Sequence, residues 1–271
     1  MLDNDGQLVL IKDQAHVTIK VPRFEDGGNI ILKHVAMPRV TKGQRWEQVM
    51  NEVRMGPVLA SAHRLIGALD WTPTARGLSL AFLRPGSDTL ADTFAKLNAS
   101  CVEAGLGPEA VMAARVERLG PILLEMMLAL NDLHTLGYLH RDGKASNWVM
   151  DSRDASRPLL IDFGLAQRIA DGMGCAEGFT SSHAPPEYLL AMERHGQWSW
   201  RRQRRGAPAG EPLPCGGVLE LLRVTLGTAT DIYLLGATLW EVLFPGYMPY
   251  IGALSAYCTE RAIVDAIIDT R

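Results

Sequence analysis

Tyr138-Leu139-His140-Arg141-Asp142-Gly143-Lys144-Ala145-Ser146-Asn147, followed shortly by Leu160-Ile161-Asp162-Phe163-Gly164, is the stretch whose reading decides the rest of the chain. Taken singly, Asp142 and Asn147 could cap turns and Lys144 could be solvated. Taken together they are harder to dismiss. A given tripeptide turns up by chance at roughly one position in several thousand on ordinary residue usage, and two meaningful ones in this order are far rarer. Upstream, Leu123, Met126, Leu130 and Leu133 recur at helical spacing; downstream, Ile232, Leu235, Leu239 and Val242 do the same. Nearer the N-terminus, Leu8–Ile11, His16–Ile19 and Ile30–Leu32 alternate with turn-like Lys12-Asp13-Gln14 and Glu25–Asn29. They predict three strands of an antiparallel meander. Trp46, Val49, Met50 and Val53 predict one short amphipathic helix stopped by Gly56-Pro57. Leu78–Leu83 predicts a strand running into an Arg84–Asp88 connector.

The two quoted stretches resemble the catalytic loop and the metal-binding Asp-Phe-Gly of protein kinases. Ala184-Pro185-Pro186-Glu187 resembles the Ala-Pro-Glu that closes that family's activation segment. Asp231 resembles the aspartate that hydrogen-bonds the catalytic-loop backbone, a structural role shared with His140, Arg141, Phe163 and Gly164. Lys33 and Glu52 lie at the separation of the family's lysine–glutamate pair. Lys20, in Val17-Thr18-Ile19-Lys20, is the rival lysine, but no glutamate stands at the matching distance.

The resemblance implies an α+β, two-lobed fold. Residues 1–86 would form a small antiparallel β-sheet lobe with one helix, and residues 87–271 a mainly helical large lobe with an insertion at about 188–230. It implies ATP and Mg²⁺ as cofactors and protein serine/threonine hydroxyls as acceptors. Asp162 and Asn147 would be oxygen ligands of magnesium, a hard ion. Asp142 would orient the acceptor hydroxyl, and Lys144 would reach the transferring phosphate. Lys33 and Glu52 would serve the inner phosphates, with Ile31 beside the adenine. Lys144, two residues after Asp142, and Thr180, seven before Glu187, resemble the serine/threonine type; Thr180 is alternatively an ordinary loop threonine.

Several positions depart from the pattern. The glycine-rich loop should fall around Lys12–Val17, which holds no glycine, and Ile31 replaces a small residue. Gly56 falls where the family helix contributes an apolar residue to the active-state spine. Ala262–Ile268 reads as a further helix, and the family's last large-lobe helices find no counterpart before Arg271. A scaffolding pseudokinase is therefore a second reading. A small-molecule kinase of the aminoglycoside phosphotransferase kind is a third, opposed by the Asp-Phe-Gly and Ala-Pro-Glu motifs.

Bulk properties restrict these readings. The chain has 271 residues, 47% hydrophobic, enough for one large core or two lobes sharing a cleft. A net charge of −3 gives no general reason to expect nucleic-acid or membrane binding. The four cysteines show no paired spacing, which argues against a zinc site or disulfide framework and fits an intracellular, cytoplasmic or nuclear, setting. Ile232–Tyr257 is interrupted by Glu241, Pro245 and Pro249 and reads as buried helix plus loop. Arg201, Arg202, Arg204 and Arg205 form either a solvated loop or a docking or nuclear-targeting patch. From Leu165 to Phe179 there is no Ser, Thr or Tyr.

Overall fold

The computed structural model describes residues 8–14, 17–22, 30–36, 43–75, 77–175, 183–185, 188 and 223–245. They fall into two compact units. One comprises residues up to His140 together with Ala145–Ala166; the other comprises Arg141–Lys144 and the residues from Gln167 onward.

The first unit starts with strands β1 (Leu8–Gln14), β2 (Val17–Pro22) and β3 (Ile30–Ala36), the expected meander. With β4 (Asp70–Thr74) and β5 (Gly77–Leu83) they form a five-stranded antiparallel sheet in the order β1-β2-β3-β5-β4. Lys12, Asp13 and Gln14 are strand residues, not a turn. They pair with Ile19, Thr18 and Val17 after a register shift between Leu10 and Lys12. A bulge thus absorbs the irregularity that the polar run suggests. β4 went unforeseen: all its residues are exposed and it carries Pro73, a pattern suited to an edge strand but lacking alternation.

Helix α1 (Gly43–Leu59) runs through Gly56 and Pro57, contrary to the expected stop. A proline inside a helix costs about 3 kcal/mol. Met55 and Leu59 are buried in the same turn, and each fully buried apolar side chain contributes about 1.5–3 kcal/mol, so packing outweighs the break. Gly56 serves close approach: a Cβ there would lie 2.2 Å from the Ala68 carbonyl oxygen. Val49 of α1 packs with Val35, Leu78 and Leu80 of the sheet.

Helix α2 (Leu90–Glu103) starts at a capping box in which Thr89 and Asp92 satisfy each other's backbone amides. α3 (Pro108–Thr135) buries Ile122, Met126, Ala129, Leu130 and Leu133, the stripe expected from the sequence with Leu123 at its margin. It leads through β6 (Tyr138–Leu139) toward the hairpin β7 (Trp148–Asp151) and β8 (Asp154–Leu160). Arg64 clamps the α1–β4 connection to α3 through Glu125 at 2.9 Å and Asp132 at 3.2 Å.

The second unit contains β9 (Gln167–Arg168), β10 (Met173–Cys175), β11 (Arg223–Thr225) and helix α4 (Thr228–Leu243); β10 and β11 pair antiparallel. α4 buries Leu234, Leu235, Thr238 and Val242. Ile232, expected on its buried face, is 52% exposed because Asp231 takes the inward position one residue earlier. Among the described residues, no helix is long and apolar enough to cross a membrane. The arginine run at 201–205 and the Ala262–Ile268 helix lie outside the described residues.

Candidate active site

In the first unit, β3 delivers Lys33 and α1 delivers Glu52, and their side chains meet at 2.5 Å. Asp162 approaches the same ammonium at 3.8 Å. Burial alone would depress the lysine, but the facing carboxylates of Glu52 and Asp162 outweigh it and hold Lys33 above its ordinary pKa. Burial dominates at Glu52, pushing its carboxyl up to about 7 against the pull of Lys33. Glu52 Oε2 is buried without a hydrogen-bond partner, which disfavours the ionised form further. Ile31 lies two residues before Lys33 on the same strand, so both project from one face; it is half-buried. Lys20 lies on β2 opposite Leu32.

Phe163 and Gly164 open a 3₁₀ turn whose preceding residue, Asp162, is left-handed at φ 67°. Such a backbone costs of order 1–3 kcal/mol in a non-glycine residue and must be held. Asn51, beside Glu52 on α1, supplies part of that hold. Its amide nitrogen donates to the carbonyls of Phe163, Gly164 and Ala166 at 3.1, 3.2 and 2.7 Å. A Cβ on Gly164 would press on Glu52 Oε1 and Gln48 at 3.3–3.4 Å, so α1 sits directly against this turn. Phe163 is buried, and its ring meets His140 edge-on at 5.1 Å. The His140 Nε2 lies 3.0 Å from the Ile161 carbonyl. Asn147 is buried in the turn before β7, and its carbonyl accepts from the Ile161 amide at 2.9 Å. Asp162, with its side chain 42% exposed, and Asn147 offer a carboxylate and an amide oxygen. This donor chemistry fits magnesium, which takes one or two protein oxygens and completes its shell with water and phosphate.

In the second unit, Arg141 is the other described non-glycine residue with positive φ, at 70°. Its amide donates to Asp231 Oδ1 at 2.8 Å, and Asp231 is itself buried in the first turn of α4. A hydrogen bond to a charged acceptor contributes about 1.5–3 kcal/mol, enough to offset the strained backbone. The Arg141 guanidinium reaches Gln167 at 2.9 Å and Tyr188 at 3.3 Å. Lys144 Nζ donates to Asp142 Oδ2 at 2.6 Å, and Asp142 is buried. Gly143 between them permits close packing, since a Cβ there would meet Leu234 at 2.9 Å.

Of the residues singled out in the sequence, Lys33, Glu52 and Asp162 thus converge in one unit, while Asp142, Lys144 and Asp231 cluster in the other. Thr180 and Glu187 lie outside the described residues. Asn51 was missed. The signal available was a poor helix former placed beside the glutamate in mid-helix.

Comparison with known proteins agrees with this geometry. A family model described as "Protein kinase domain" matches residues 16–199. Serine/threonine-protein kinase mrck-1 of Caenorhabditis elegans is 45% identical over 75 residues, 26% of this chain and 4% of that protein. Serine/threonine-protein kinase tricornered of Drosophila pseudoobscura pseudoobscura is 29% identical over 135 residues, 46% of this chain and 29% of that protein. Serine/threonine-protein kinase pim-2 of Danio rerio is 28% identical over 183 residues, 64% and 55% respectively. The chain thus spans between a few per cent and about half of the length of these relatives. Because the family model covers well over half of the sequence, the chain belongs to the protein kinase family.

Proposed function

We propose that this protein transfers the terminal phosphoryl group of ATP to serine or threonine hydroxyls of protein substrates. The observation that carries the reading is the Lys33 ammonium set between Glu52 and Asp162, a cation fixed in the middle of strand β3 for anionic phosphate. In this reading residues 1–86 are the nucleotide lobe and residues 87–271 the catalytic lobe. Lys33, oriented by Glu52, contacts the inner phosphates. Asp162 and Asn147 would hold magnesium, which when bound would neutralise charge on the phosphate oxygens. Asp142 accepts the hydrogen bond of the substrate hydroxyl and aims it at the phosphorus; Lys144, already on Asp142, stands ready for the developing negative charge. Thr180 and Glu187, outside the described residues, are assigned to the activation segment by the resemblance of their sequence alone.

The serine/threonine preference rests on Lys144 and on the serine/threonine kinases that the sequence resembles. A second reading, a scaffold that binds nucleotide weakly or not at all, draws on the absence of glycine between Lys12 and Val17 and on Ile31. Thermal unfolding with and without Mg·ATP separates the two, since a ligand that binds only the native state raises its stability. An upward shift with Mg·ATP, together with phosphoserine or phosphothreonine in a mixed peptide substrate, is expected. No shift and no incorporation would favour the scaffold.

A further inference from the structure

A cavity of about 780 Å³ lies in the first unit, lined by the C-terminal turn of α1, the loop leading to β4, the connector after β5 and the β7–β8 hairpin. No catalytic role falls to these segments. Its floor is apolar: Leu59, Leu65 and Leu159 are each no more than 3% exposed. Its rim carries two apolar side chains turned to solvent, Leu69 at 56% and Leu83 at 47% exposure.

The charge around it is one-sided. Arg84, Arg153 and Arg157 line it against a single acid, Asp151. That acid is 2% exposed in its side chain and is held by Arg153 at 3.2 Å, while Asp154, just outside the lining, faces Arg157, so the three guanidiniums outnumber the nearby carboxylates by one and Arg84 carries the uncompensated charge. Arg157 donates to the His63 carbonyl at 3.1 Å, which fixes its position on the rim. Among the described residues Arg84 has neither a hydrogen-bond nor an ion-pair partner. This local excess stands out in a chain whose net charge is −3.

The walls are set by backbone contact. A Cβ at Gly56 would lie 2.2 Å from the Ala68 oxygen. Ile66 donates to Leu160 at 2.9 Å, and Ser152 to Pro85 at 2.8 Å. A groove fixed in this way loses little entropy when filled.

We propose that this groove docks an extended acidic-apolar peptide segment of a partner protein, with leucine-type side chains against Leu69 and Leu83 and carboxylates on Arg84 and Arg157. Guanidinium groups pair carboxylates in two-point geometry, and the apolar rim contributes burial once covered. Nucleic acid is the poorer fit, because no Phe, Tyr or Trp lines the cavity to stack a base.

The test is fluorescence anisotropy of the full chain with a short fluorescein-labelled peptide alternating leucine with aspartate and glutamate. Its control is the same peptide with lysine in place of the acids. Saturable binding of the acidic peptide is expected, weakened about tenfold or more by Arg84→Glu and by Leu69→Asp. Leu69 is exposed, so that variant keeps its fold even where Arg84→Glu does not; unfolding curves check both. Equal binding of the lysine peptide, full competition by Mg·ATP, or unchanged affinity in the folded variants would overturn the proposal. So would absence of peptide binding combined with self-association that Leu69→Asp abolishes, which would make the groove a contact between copies of this chain.

Discussion

Glu52→Gln should change the pH dependence of stability in a way that no surface substitution can. Burial carries the Glu52 carboxyl from 4.5 to about 7, so the folded state binds its proton more tightly than the unfolded state does. The stabilisation from neutral Glu52 is fully present below about pH 4.5 and is lost as pH rises through about 7. A rise of that size corresponds to about 3 kcal/mol at its full extent, at 1.36 kcal/mol per unit. Lys33, held above its ordinary value, stays charged throughout this range and adds no slope. Asp92, held low by the Thr89 amide, and Asp151, held low by Arg153, titrate at more acid pH, and the wild-type minus variant difference cancels them. Urea denaturation of both proteins from pH 5 to 7.5 is the assay. Wild type should lose stability relative to Glu52→Gln as pH rises, while its phosphoryl transfer should increase over the same interval as the Lys33–Glu52 ion pair forms. Parallel stability curves would refute the assignment of the raised carboxyl to Glu52.

Asn51→Ala should leave three backbone carbonyls without their shared donor, at a cost of about 1–3 kcal/mol. Its turnover should fall more than its peptide KM rises; unchanged kinetics would mean that the Asp162–Gly164 turn holds itself. Ile31→Ala should tighten ATP binding by relieving crowding in the adenine slot. Ile31 is half-buried, so the cost should stay below the about 2–5 kcal/mol of a fully buried truncation; a folded variant with unchanged ATP affinity would dismiss crowding. Phosphatase treatment should leave activity unchanged, because residues 165–179 offer no phosphate acceptor and Arg141 already donates to Gln167 and Tyr188. A large loss, restored by phosphorylating Thr180, Ser181 or Ser182, would contradict this.

The meander and β5 were legible because their apolar runs are set off by polar residues or a connector, even though the polar run Lys12–Gln14 is strand and not turn, and α3 because its stripe keeps helical spacing for about three turns. Lys33 and Glu52 were legible as a pair from their separation of 19 residues, although spacing alone could not show that burial would dominate the carboxylate. Gly56-Pro57 misled because local rules read a stop where the buried side chains of Met55 and Leu59 and the Ala68 backbone enforce continuation. Asn51 escaped for a related reason: its partners lie 112 to 115 residues away, and nothing in the surrounding helix pattern points to them. The groove was illegible for the same cause, since its arginines come from segments far apart in the chain.

Transfer of labelled phosphate from Mg·ATP to a serine- and threonine-containing peptide, measured side by side for wild type and Asp162→Asn, tests the central claim most directly. Asp162 faces Lys33 and is the proposed magnesium ligand, and removing its charge should lower the rate by at least about a hundredfold, about 3 kcal/mol of barrier, while the unfolding midpoint moves little. Equal incorporation by the two proteins, or none by either, would contradict the account.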